Sequence, residues 1–491
     1  MSRFFKYALL GYALLYFIIY CILVFYRIQY PFELEWMEGG SVDHVRRILS
    51  GQKLYVSPSL EFVPFGYTPL YFYISAVISK LLGIGFFPLR LLSFISSLGC
   101  FFIIFLMVRR ETRSTFSAIL ASSLFVATFR ISGAWFDIAR VDSLFLFFIL
   151  AALYIVRFND SSRSYILAGL FISLSFLTKQ TALIIFLPIL LYCIVINRRP
   201  SISLMSTIVV IVGGSTLLLN HIHDGWYSYY IFLLSKQRPI NVSRFFYFWS
   251  KDIFLSLSIP SFGIIFYLSA QMRSLDKRRF FFYVSALIGM LGGSLISRLQ
   301  FGGYHNVLFP AYAIMAILFG LAIHTAAELI QRAPENKRRI LEIYLYLICI
   351  IQFTGLAYNP FTQIPTREDL KAGKEFIRTM AELQGDILLP SHGYLPVLAG
   401  KKSHAHAMAI VDYLWGENTP EKARFIEEIR KKIREKKFGA IILDSPWFPE
   451  EVSNYYIKQR ALFDSPAVFW PVTGEKTRPE WIYISKTNIA N

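Results

Sequence analysis

FKYALLGYALLYFIIYCILVFY (residues 5–26) is followed a few residues later by PFELEWMEGGSVDHVRRILSG (residues 31–51). The first run has the length a helix needs to cross a hydrocarbon core, roughly 20 apolar residues. It lacks a small-residue cleavage site and stays aromatic to its end, so it reads as a retained anchor, not a removed signal peptide. The second run places Glu33, Glu35, Glu38 and Asp43 where the chain leaves the bilayer. Carboxylates are costly to hold beside lipid, so a cluster of them there marks a working site.

Outward from this stretch the chain stays apolar. Of 491 residues 55% are hydrophobic and 17% aromatic, and mean hydropathy is +0.48, well above the soluble balance. Eleven spans are expected, at roughly 5–27, 86–108, 114–131, 143–157, 164–179, 181–197, 202–220, 253–272, 280–298, 306–326 and 340–358. With the amino terminus inside, 17 of the 50 basic residues, from Arg3 and Lys6 to Arg338 and Arg339, fall in short inner segments. That obeys the positive-inside rule. The net charge of +18 is therefore mostly a topology signal, scattered over six segments and not gathered into a nucleic-acid footprint. Cys21, Cys100, Cys193 and Cys349 all lie within expected spans, so no disulfide framework or zinc spacing is present.

The expected fold class is an α-helical polytopic membrane protein of about eleven transmembrane helices (residues 1–359) with a C-terminal soluble α/β domain (360–491). In that domain Asp386–Pro390 and Phe438–Asp444 read as short buried strands. Thr419-Pro420 opens a charged amphipathic helix running to about Lys437. An odd number of spans from an inside start places the domain outside a multi-pass inner membrane. The outer loops hold the polar groups. Loop 28–85 carries the acidic cluster and an aromatic segment expected to lie at the interface. Later loops carry Asp137, Arg140 and Asp142, then His221-Ile222-His223-Asp224, then Gly302-Gly303-Tyr304-His305-Asn306.

Several of these landmarks, in this order, resemble the GT-C membrane glycosyltransferases, in particular the branch of protein O-mannosyltransferases and aminoarabinose transferases. They are Met37-Glu38, Arg46, Gly51, Tyr55, Thr68-Pro69-Leu70-Tyr71, Phe86-Phe87-Pro88-Leu89-Arg90-Leu91, Arg140-Val141-Asp142, Leu177-Thr178-Lys179-Gln180 and Gly302-Gly303-Tyr304-His305-Asn306 with Pro310. The similarity covers roughly residues 28–325. It departs where the first acid of the family's Asp-Glu pair is Met37 here. The resemblance implies sugar transfer from a polyprenyl-phosphate carrier to a glycan, lipid or protein acceptor at the outer face. No cofactor is implied beyond that lipid-linked donor, and metal is not commonly used in this branch.

Such chemistry needs a carboxylate general base near the acceptor hydroxyl. It also needs cations and hydrogen-bond donors for the departing phosphate. Glu38, in the second place of the acidic pair, is expected as the base. Asp142 would orient the acceptor or support Glu38, and Glu35, three residues away, is expected on the same helix face as the other base candidate. Lys179, Arg298, Tyr304, His305 and Asn306 are expected to hold the carrier phosphate, with Arg140 also lining the substrate. Plainer roles compete at each position. Glu38 and Asp142 would serve as caps or as partners of Arg46 and Arg140, Lys179 would snorkel, and His305-Asn306 would close a turn. The pairs His221/His223 and His404/His406 are weak metal signals. A transporter or flippase is the rival class, disfavoured because the acids sit at span ends, not in broken helices at the midplane.

Overall fold

Residues 2–273 and 276–486 are described in a computed structural model. Residues 487–491, at the end of the expected C-terminal domain, lie outside the described residues. The apolar runs fold as helices because a bilayer offers backbone N–H and C=O groups no water to bond. α1 (Ser2–Arg27) leads into two helices of the first loop, α2 (Glu38–Leu49) and α3 (Leu70–Leu82). α4 (Phe86–Thr112), α5 (Thr115–Ala127), α6 (Asp142–Phe158), α7 (Ser162–Thr178) and α8 (Ala182–Ile196) follow. α9 (Arg198–Ile222) contains a π-helical turn at Val209–Gly213. α10 (Ser243–Leu255) and α11 (Ser258–Met272) meet at an 89° bend. α12 (Lys277–Leu299), α13 (Phe309–Gln331) and α14 (Glu335–Gly355) complete the bundle.

Among the described residues, five helices are long and apolar enough to cross a membrane alone, and up to seven if each bent pair counts as one span. The apolar runs alone point to eleven full-length spans. The difference lies in helices such as α5, α7 and α8, of 13, 17 and 15 residues, and in the bend within the expected span 253–272. α13 is the hub, with 89% of its most apolar window inside the protein, against 6% for α9. A helix apolar on every side suits that central place. α3 turns Tyr73, Val77 and Leu81 outward, as a helix lying at the membrane interface would.

Arg90, near the start of α4, fixes the first loop. Its guanidinium donates to the carbonyls of Arg27 (3.1 Å), Tyr30 (2.6 Å) and Phe32 (2.6 Å), and to both oxygens of Glu38. A rigid fork of five donors is needed to satisfy that many acceptors at once. His44 packs between Phe65 and Phe72. It accepts from the Phe65 N–H at Nε2 and therefore donates from Nδ1 to the Gly40 carbonyl. Burial lowers this imidazole to about 4, so it stays neutral.

Beyond α14 the chain forms a four-stranded sheet of order β1-β2-β4-β3, from Ile387–Leu388, Ala440–Leu443, Tyr456–Ala461 and Trp481–Ser485. β1 and β2 are parallel, whereas β4 is antiparallel to both its neighbours. α15 (Arg367–Glu382) starts at a Thr366–Asp369 capping box, α16 (Ala407–Leu414) at His406, and α17 (Pro420–Arg434) at Thr419. Ile441 and Ile442 of β2 share one apolar cluster with Phe425, Ile429 and Ile433 of α17. The same cluster takes in Phe32, Val42 and Leu54 of the first loop. The sheet region is thus packed onto that loop.

Candidate functional site

Glu38 and Glu35 sit in contrasting environments. Each Glu38 oxygen accepts two hydrogen bonds. Oε1 takes the Ala139 N–H (2.7 Å) and Arg90 Nε (2.9 Å), and Oε2 takes the Leu34 N–H (2.7 Å) and Arg90 Nη2 (2.6 Å). Burial works against its charge, but Arg90 and the two N–H groups outweigh this and hold the carboxyl below its ordinary range. No lone pair is left for a substrate. Glu35 lies before the start of α2, so it does not share a helix face with Glu38 as the spacing leads one to expect. Its Oε2 accepts from the Met37 N–H (3.2 Å) and lies 3.6 Å from Arg140 Nη1, while its buried Oε1 has no partner. Burial pushes Glu35 up to about 8; Arg140 opposes the shift and Glu38 adds to it.

Arg140 carries the polar contacts onward. It stacks over Trp135 and Tyr67 and donates Nη2 to the Tyr67 hydroxyl (2.8 Å), leaving Nε and Nη1 without hydrogen bonds. It does not pair with Asp142 as a cap partner would. Asp142 Oδ1 instead accepts from Lys179 Nζ (2.7 Å) and Asn306 Nδ2 (2.9 Å), and Oδ2 is unpartnered. Tyr304 stacks on Trp135 with ring centres 5.1 Å apart, and His305 packs edge-on against Tyr304. The structure thus gathers Glu35, Arg140, Asp142, Lys179, Tyr304 and Asn306, from four separate segments, around unpartnered buried oxygens and guanidinium nitrogens. Buried polar groups are nearly always bonded, so these orphans make the cluster a candidate for binding.

Two expected residues turn away. Arg298 grips Asp252 (Nε to Oδ2, 2.8 Å) and donates Nη1 to the Gly303 carbonyl (2.7 Å). It holds the turn that carries Tyr304 and Asn306. Arg46 pairs with Asp43, not with Glu38. One histidine of each expected pair has another partner. His223 accepts weakly from the Tyr55 N–H, and His406 contacts the Trp36 carbonyl (3.1 Å). Among the described residues no three His, Cys, Asp or Glu side chains converge as metal ligands.

The C-terminal region closes the site. Thr473 N–H donates to the Leu34 carbonyl (3.2 Å), and its hydroxyl bonds Trp135 Nε1 and the Gly133 carbonyl. Gly474, at φ +81°, lies so near that a Cβ there would come within 2.6 Å of Glu35 Cγ. Only glycine adopts this conformation without cost and leaves the room. His392 bridges Glu33 Oε2 (2.5 Å) and Asp444 Oδ2 (3.0 Å). Burial disfavours its charge, yet the two carboxylates hold the imidazole up to about 10. Sequence reading misses Arg90 as the loop's anchor, and His392, Asp412, Thr473 and Gly474 as parts of the surroundings. Of these only Arg90 stands inside a family-like motif, Phe86 to Leu91.

A family model described as dolichyl-phosphate-mannose-protein mannosyltransferase matches residues 66–222. No curated protein sequence matches the chain. Among solved structures, ArnT from Cupriavidus metallidurans bound to undecaprenyl phosphate is similar over 96% of this chain and 98% of its own, with 13% identity and a TM-score of 0.60. The chain has the GT-C fold. The GT-C likeness extends to the oligosaccharyltransferase of Archaeoglobus fulgidus tethered to an acceptor peptide containing the NVT sequon. There it covers 90% of this chain and 70% of the other, with 12% identity and a TM-score of 0.57.

Proposed function

We propose that this protein transfers a hexosyl or pentosyl unit from a polyprenyl-phosphate carrier to a hydroxyl-bearing glycan, lipid or protein, at the outer face of a cell membrane. The observation that carries this reading is the unpartnered Oε1 of Glu35 beside unpartnered nitrogens of Arg140 and the Lys179–Asp142–Asn306 cluster. Glu35 takes the acceptor proton as the acceptor oxygen bonds to the anomeric carbon. The bond from that carbon to the phosphate oxygen breaks, and its electron pair leaves on the carrier phosphate. Lys179 and Arg140 stabilise that charge inside a site from which the C-terminal region excludes water. Asp142 keeps Lys179 and Asn306 in place, and Glu38 with Arg90 holds the loop on which Glu35 stands. The resemblance to a structure binding undecaprenyl phosphate supports the carrier class.

Membranes containing the protein, given a radiolabelled polyprenyl-phosphate sugar, should move label onto an endogenous acceptor. Label that crosses the bilayer still attached to the lipid would favour the flippase reading.

A further inference from the structure

Three cations in or beside the site are each matched by one carboxylate: Arg140 by Glu35, Lys179 by Asp142, and Arg238 by Asp412. The third pair differs in origin. Arg238 comes from the loop after α9, whereas Asp412 belongs to α16 in the C-terminal region. It joins the others through residues 66 and 67. Arg238 Nη2 lies beside Gly66, Gln180 (next to Lys179) donates to the Gly66 carbonyl at 2.9 Å, and Arg140 bonds the Tyr67 hydroxyl. Arg140 also lies close enough to act electrostatically on Asp412. Arg238 Nε is buried and has no partner.

At rest Lys179 and Arg238 each face a carboxylate, whereas Glu35, which burial holds up to about 8, does not fully balance the charge of Arg140. A lipid phosphate that reaches the free Nε of Arg238 competes with Asp412 for the same guanidinium. Arg238 and Asp412 are 22% and 11% exposed, against 3% and 1% for Arg140 and Glu35, and 11% and 2% for Lys179 and Asp142. The Arg238–Asp412 pair is the least buried of the three, although Asp412 itself is buried, so it is the one separated at the lowest cost.

We propose that Asp412 is a resident competitor for the carrier phosphate: it occupies Arg238 in the empty enzyme, yields it when lipid phosphate binds, and reclaims it to expel the spent carrier. This rests on the proposed phosphate site at Lys179 and Arg140 and extends it to Arg238. The spent carrier, a phosphate monoester, bears more charge than the diester donor and would otherwise be held more tightly. A returning carboxylate helps to release it.

The test is equilibrium binding of farnesyl phosphate to the detergent-solubilised full chain, with farnesol and inorganic phosphate as parallel probes. Asp412→Asn, and Asp412→Ala as a second variant, should bind farnesyl phosphate about 10-fold more tightly than wild type. Arg238→Met should bind it about 10-fold more weakly. Each factor is what a single charge-assisted hydrogen bond to the phosphate is worth. Equal tightening for inorganic phosphate would assign the site to free anions and overturn the lipid assignment. Weaker or unchanged binding in both Asp412 variants, with Arg238→Met still weakened, would show that Asp412 positions Arg238 or is idle, and would overturn the competitor role alone. If Lys179→Met and Arg238→Met both bind like wild type, the phosphate reading itself fails.

Discussion

At the residue scale, the account divides two acids of one loop by what already bonds them. A base must have a free lone pair, and Glu35 has one where Glu38 has none. Glu35 must also be ionised to act, and burial holds it up to about 8. Turnover under subsaturating acceptor should therefore rise with pH and level off only above about 8. In Arg140→Met the opposing cation is gone, so the rising limb of kcat/KM against pH should move to higher pH. A profile that is flat through this range would contradict the assignment. Arg90→Met strands Glu38 in a buried site, and losing one partner of a buried pair costs about 3–5 kcal/mol. A much lowered melting temperature is expected, and an unchanged one would show that the cage is not structural. The acidic loop was legible in the sequence, but the choice between its acids was not. Saturation of Glu38 depends on Arg90 and on the Ala139 N–H, 52 and 101 residues away.

At the element scale, the C-terminal region is latched to the first loop by His392 between Glu33 and Asp444. A histidine whose folded value lies above its ordinary 6.5 contributes stability that is lost as pH rises towards that value, here about 10. Its partner Glu33, which burial holds up to about 7, gives up its charge below that. Exchange protection at residues 391–394, corrected for the intrinsic pH dependence of exchange, should accordingly fall from about pH 7 towards about 10, while His392→Gln should stay poorly protected throughout. Equal protection at both ends of the window would rule the latch out. Most helices were legible as apolar runs, and the strands at 387–388 and 440–443 fell inside the expected segments. The bend at Ser256–Leu257 was not, because hydropathy continues across it while the direction of the chain turns by 89°. Short helices such as α5 also read as spans, since composition does not register that the bundle itself surrounds them.

At the scale of the whole molecule, the site is assembled from the first loop, the turn before α6, the ends of α7 and α12, and a segment near residue 474 that covers Glu35. No local window of sequence shows that convergence, which is why Gly474 and Asp412 escaped notice while Lys179 and Asn306 did not. We propose that the amino terminus is cytoplasmic and the sheet region lies outside. A reporter active only in the cytoplasm, fused after Asn491, should be silent, and strong activity would reverse the orientation. Gly474→Val should cut transfer at least ~10-fold by pressing on Glu35, with little change in farnesyl phosphate binding, because misplacing a base removes rate more than affinity. The central claim is tested most directly by the turnover of Glu35→Gln with a labelled polyprenyl-phosphate sugar, in protein shown to keep its melting temperature and carrier binding. The account predicts a loss of about 100-fold or more; turnover near the wild-type rate would contradict it.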